Sequence, residues 1–355
     1  MTRRQAERTA LITGGLGIAG AIAGWILAPG IFAHAWLAAL VVFVGWPLGC
    51  MGLLFTHALT GGRWGDAIRP QLLAGLATLP LVVPALLPLV GLAHTLYPWM
   101  RPEVAAHLTN GFYLNVPFFV GRIVLYLIIW FALATLTMRA LRRDPTETVL
   151  ARLAPAGLIL LALTGTYATI DATMSLDPQF ASSVYGMVEI AAMGLFALSL
   201  SILAAALALP PARDYLQELG RLTLGLVVLW AYLDFVQLLI VWQSNLPHEA
   251  PWYLLRLTGG WGIVAAAVAA GHFLLPFFAL LFPQVQRSRA GIAAVASLLV
   301  LSAILRGWWL VVPASGRAFG FVDVVAMVGL LGIAAAFALR SPLMPLVPEA
   351  LRRHV

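Results

Sequence analysis

The stretch Thr166-Tyr-Ala-Thr-Ile-Asp171-Ala-Thr-Met-Ser-Leu-Asp177-Pro178-Gln-Phe-Ala-Ser-Ser-Val-Tyr-Gly186 joins two long apolar runs. Asp171 closes the first run and Glu189 lies inside the second. A charge at the centre of a bilayer costs roughly 2.5 to 3.5 kcal/mol even on the lenient insertion scale, so an acid in such a run reads first as a functional group with a partner nearby. Between the runs, Asp177 before Pro178 has turn chemistry.

Outward from this segment, apolar runs and polar breaks alternate along the whole chain. Ten runs are long enough to span a bilayer, near 9 to 28, 35 to 58, 70 to 95, 115 to 139, 150 to 173, 183 to 209, 220 to 243, 257 to 283, 290 to 312 and 319 to 339. Each approaches or exceeds the about 20 residues that a transmembrane helix needs. Of the 355 residues 62% are hydrophobic and 10% charged, whereas soluble domains carry about 25% charged residues. Mean hydropathy is +0.95. The chain therefore reads as an all-α polytopic membrane protein, one integral membrane unit over residues 1–355. A separate soluble domain has no room, so any redox or nucleotide-binding module must come from a partner chain.

The net charge of +7 is explained by topology rather than by nucleic acid. With the N-terminus cytoplasmic, the inner segments collect Arg3, Arg4, Arg8, Arg63, Arg69, Arg139, Arg142, Arg143, Arg152, Arg213, Arg221, Arg287, Arg289, Arg340, Arg352 and Arg353, and the outer loops hold Arg101, Arg256 and Arg317. The positive-inside rule then places both termini in the cytoplasm. The N-terminus also mimics a signal peptide, with Ala33-His34-Ala35 as a cleavage-like site. Its apolar run is longer than the 7 to 15 residues of a signal core, so a retained first helix is the preferred reading. Cys50 is the single cysteine, which excludes an internal disulfide and a cluster ligated by about four thiolates from this chain alone.

At 1.5 Å rise per residue, Arg122, Asp171, Glu189, Arg306 and Asp323 fall in the outer parts of spans 4, 5, 6, 9 and 10, with Asp234 and His272 nearer mid-depth. His57 lies near the inner end of span 2. In span 7, Trp230, Asp234 and Gln237 share one helix face by their spacing, a stripe that must face protein or a water-filled cavity. In span 8, Pro276 removes the hydrogen bond to the carbonyl of His272, four residues earlier, and predicts a kink. Arg122 and Arg306 read as counter-charges, either purely structural partners of acids on neighbouring helices or members of a charged site. Asp323 reads equally as the cap of span 10, and His272 as a packing histidine or a relay. Haem is disfavoured because His57 and His272 lie at different depths and Cys-x-x-Cys-His is absent. No phosphate-binding loop, dinucleotide fingerprint or His-Glu-x-x-His occurs.

Several blocks resemble the NrfD-like superfamily, the polysulfide reductase membrane subunits, and within it the ActF subunit of alternative complex III. They are Arg122-Ile-Val-Leu-Tyr-Leu-Ile-Ile-Trp130, Ile170-Asp-Ala-Thr-Met-Ser-Leu-Asp-Pro178 with Val184-Tyr-Gly186, Leu219-Gly-Arg-Leu222, Trp230-Ala-Tyr232 with Gln237, Trp242-Gln-Ser-Asn-Leu-Pro-His-Glu249 with Trp252-Tyr253, Gly271-His-Phe-Leu-Leu-Pro276 and Trp308-Trp-Leu-Val-Val-Pro313. Order and spacing match over roughly 115 to 313. The resemblance implies ten spans containing two four-helix bundles, in a quinol:cytochrome c oxidoreductase of the bacterial inner membrane. It places iron–sulfur clusters and haem c on partner subunits, none in this chain, and makes an ActC-like paralogue a neighbour. The chain departs from the family at Ala172, at Gln179-Phe180, at Pro247-His248-Glu249 and at Arg306, where an acid is expected.

The combined expectation is that Asp171, Glu189, Asp234, Gln237 and His272 line a proton path or quinone-facing cavity, with Arg122 and Arg306 as counter-charges. The isolated chain is expected to have no catalytic activity. Two rival classes fit the same composition: a purely structural anchor subunit, and a secondary transporter with charges near the midplane.

Overall fold

The structure is a computed structural model that describes residues 3–144, 148–208 and 213–341. Arg352 and Arg353 of the charge argument lie outside these residues, as does the end of the sixth predicted span at 209. Ten helical segments are long and apolar enough to cross a membrane, and the described residues contain no strand. The chain is an all-α polytopic membrane protein.

The spans are built from α1 (Arg3–Leu27), α2 (Pro29–Thr60), a third span divided into α3 (Arg63–Leu76) and α4 (Val82–Val90), α5 (Val116–Arg143), α6 (Thr148–Ala172), α7 (Tyr185–Ala208) and α8 (Arg213–Ser244). A short extramembrane helix, α9 (Ala250–Leu257), precedes an eighth span made of α10 (Gly259–Val268) and α11 (Leu275–Leu281). The chain ends with α12 (Arg289–Val311) and α13 (Phe321–Arg340). Local chemistry sets several boundaries. The Asn115 side chain accepts the Phe118 N–H at 3.0 Å, with Pro117 in the first turn of α5. Ser288 does the same for α12 through the Gly291 N–H.

Span 3 is interrupted after Leu76, where a 3₁₀ turn over Leu79–Leu81 contains Pro80. Span 8 is interrupted by a π-helical turn over Ala269–Leu274 that carries His272, directly before Pro276. The kink expected from Pro276 thus takes the form of a wide turn, a feature that recurs at functional sites.

α2 is apolar on every side and is the most buried span, as expected of a helix surrounded by others. It packs on α3, α6, α7, α12 and α13. Two four-helix groups result: α2, α3/α4, α5 and α6, and α7, α8, α10/α11 and α12, which meet along α2 and α7. In each, the first helix packs on the second and fourth, and the third packs on the fourth. The groups differ in one respect. In the second group α8 packs against α11, closing the ring, whereas in the first α5 packs mainly on α6 and leaves a gap beside span 3.

Outside both groups, α1 and α13 run along one another through Gly14, Gly17, Gly329 and Gly332. Small residues are what permits such close backbone approach between membrane helices. Arg3 donates to the carbonyls of Leu339 and Ser341 at 2.6 and 3.0 Å. Both ends of the described chain therefore lie at one face, the face that carries most of the arginines.

Candidate functional site

The intramembrane charges separate into two clusters, one per helix group, both toward the face opposite the termini. In the first, Arg122 of α5 reaches Asp171 of α6 through Nε at 2.9 Å and Nη2 at 2.8 Å. The Tyr126 hydroxyl donates to the same carboxylate at 2.8 Å, and Arg122 Nη1 donates to the Tyr113 carbonyl at 2.9 Å. The guanidinium also lies 3.8 Å from the Tyr113 ring centre and 4.4 Å from that of Phe118, a cation–π arrangement. Bidentate geometry with every partner satisfied is what a buried ion pair requires to offset desolvation. Asp171 lines an apolar cavity of about 500 Å³ together with Tyr126, His94, Tyr97 and Trp130, between span 3 and α5.

The second cluster centres on Arg306 of α12, which holds both oxygens of Glu189 on α7 through Nη1 (3.0 Å) and Nη2. Glu189, Arg306 and His272 line a narrow void of about 40 Å³ against α2, a size compatible with bound water. His272 is fully buried, its Nδ1 2.8 Å from Ser302 Oγ and its ring edge-on to Trp230 at 4.4 Å. On the other side, Arg306 lines a cavity of about 610 Å³ with Asp234, Trp230, Tyr253 and Trp309. Asp234 has no hydrogen bond or ion pair with any described residue. His272 Nε2, Arg306 Nε and Trp230 Nε1 are likewise buried without a protein partner. Arg306 is thus the partition between the two spaces, and these three unpartnered polar atoms gather around it.

The span 7 stripe behaves as its spacing predicts. Trp230 packs on His272, Asp234 faces the larger cavity, and Gln237 accepts from Ser182 at 2.9 Å while donating to the Tyr253 hydroxyl at 3.0 Å. The structure brings Glu189, Asp234, His272 and Arg306 together. It places Asp171 and Arg122 apart from them, in the first group. Asp323 caps α13, accepting the Gly320 N–H at 2.8 Å, and is also gripped by Arg317 through two bonds of 2.6 Å. His57 packs edge-on to Trp64 and meets the Gly62 carbonyl at 2.9 Å.

Sequence reasoning passed over two groups. Tyr126 is one turn from Arg122 on the same face, the spacing that would have found it. Arg256 reads from sequence as a loop arginine but is 1% exposed, donating to the Leu310 and Trp252 carbonyls and stacked 3.3 Å from the Trp252 ring centre. Burial lowers its guanidinium to about 10, with Tyr185 and Asp177 opposing the shift. Phe180 lies flat on the Trp252 ring at 4.5 Å and 8°. Against known proteins, the chain matches no family model and no curated sequence.

Proposed function

We propose that the chain is the membrane subunit of a quinol-oxidising respiratory complex of the alternative complex III type, in the bacterial inner membrane. In this reading it supplies a proton path in its second helix group and a quinone-facing chamber in its first, and forms a platform for iron–sulfur and haem c subunits and an ActC-like paralogue. The observation that carries it is the position of Arg306 between two spaces, with Glu189 and His272 on one side and Asp234 on the other. Ionisable groups at this depth are functional by default because lipid cannot solvate them. A carboxylate without a partner, next to a charge pair it can perturb, is suited to taking up and releasing a proton. The Asp171 and Tyr126 oxygens in the lining of an apolar chamber are suited to a flat, lipid-soluble ligand with polar ends.

The test is Asp171→Asn and Asp234→Asn in the assembled complex, measuring quinol oxidation and proton release separately. Loss of proton release in the Asp234 variant, and of quinol oxidation in the Asp171 variant, is expected. Unchanged values in both overturn the proposal. A purely structural subunit is favoured by the complete pairing of Arg122 with Asp171 and of Arg306 with Glu189. For such a subunit, gene deletion abolishes assembly while the amide variants stay active.

A further inference from the structure

At the arginine-rich face, the gap between span 3 and α5 continues as a separate slot of about 320 Å³. It exists because span 3 breaks there: α3 stops at Leu76, the chain turns through Pro80, and α4 restarts at Val82 on a new course. One wall is Leu76, Ala77, Leu79 and Pro80, and the other is Phe131, Ala134 and Met138 of α5. The single hydroxyl there, Thr135, donates to its own helix at the Phe131 carbonyl at 2.7 Å. At the mouth stand Arg139 and Arg142, three residues apart and so on one face of α5. Both are exposed, and neither has a hydrogen bond, ion pair or ring contact among the described residues.

We propose that this slot is a binding site for an anionic phospholipid, with the phosphate held between Arg139 and Arg142 and an acyl chain lying against Leu79 and Phe131. Guanidinium groups match the geometry of phosphate oxygens. These two occupy the last turns of a spanning helix, the depth at which headgroups lie, and basic pockets between helices on the cytoplasmic side hold anionic headgroups. The apolar walls select a lipid over a free anion, because inorganic phosphate leaves them exposed and uses only the rim. The lipid completes the first helix group by filling the place where α5 lacks a contact with span 3. None of this depends on the quinol-oxidising reading.

The experiment is native mass spectrometry of the purified full chain in detergent, with phosphatidylglycerol and phosphatidylcholine of identical acyl chains. Phosphatidylglycerol adducts should survive where phosphatidylcholine adducts are lost. The Arg139→Gln/Arg142→Gln variant should weaken phosphatidylglycerol binding by about tenfold or more, from about 1 kcal/mol per arginine near the surface. Ala77→Trp, which fills the apolar part and keeps both charges, should also reduce it. Arg143→Gln, an exposed neighbour outside the lining, should leave it unchanged. The proposal is overturned by equal retention of both lipids, by an unaffected double variant, by an equal loss in Arg143→Gln, or by displacement of the lipid with inorganic phosphate.

Discussion

Glu189 and Arg306, 117 residues apart in the chain, meet as a two-pronged ion pair that is buried on both sides. They tie the first helix of the second group to its last. Either charge left alone is destabilising, because a buried ion without its partner keeps the desolvation cost and loses the compensating attraction.

Arg306→Ala and Glu189→Ala should each lower stability by about 3 to 5 kcal/mol. The pair Glu189→Leu with Arg306→Met should recover most of it. Thermal unfolding of the purified chain in one detergent checks both, and a double variant no more stable than the singles contradicts the account.

Asp234 behaves differently because it has no partner to lose. Asp234→Asn should leave unfolding unchanged or shift it upward, because it removes an acid whose desolvation no hydrogen bond or ion pair offsets. It should still lower coupled proton release by about a hundredfold, the low end of what a positioned acid or base supplies. Equal loss of stability and of proton release would assign Asp234 to packing.

Phe180 and Trp252 are 2% and 1% exposed and stack on one another, with the buried Arg256 guanidinium against the Trp252 ring. Phe180→Ala should cost about 3 to 5 kcal/mol by cavity formation. Phe180→Trp, which keeps a flat ring, should cost less, and reversal of that order in unfolding midpoints refutes the stacking explanation.

Gly14 and Gly15 are neighbours with opposite expected outcomes. A Cβ at Gly14 would lie 2.6 Å from the Ile333 nitrogen, whereas at Gly15 it would meet nothing within 4 Å. Gly14→Leu should part α1 from α13, seen as loss of a disulfide engineered across the seam. Gly15→Ala should be neutral or stabilising by up to about 1 kcal/mol through helix propensity.

The number of spans, their type and most of their limits were legible because each needs only a long apolar run, which composition records directly. The interruptions were legible only in part, since Pro276 announced a break in span 8 but not its form. The unwinding after Leu76 depends on how Pro80 is accommodated, and the wide turn around His272 on what packs beside it. Among the charges, pairing across helices was legible as a need but not as an assignment. Asp171 could be matched with Arg122 or with Arg306 until the helix order in space was known. Arg256 was missed because a loop position suggests solvent, whereas the Trp252 ring and the Leu310 carbonyl, neither legible as its neighbour, take it out of water.

The glycine seam between α1 and α13 also has a consequence for biosynthesis. α1 has its main partner, α13, far along the chain, so it must wait in the membrane while about 290 further residues are made. At roughly 5 to 20 residues per second this wait lasts on the order of 15 to 60 seconds. During that time the glycine face of α1 is open to whatever neighbours the bilayer supplies, so the seam that Gly14 and Gly332 close is among the last contacts of the fold to form.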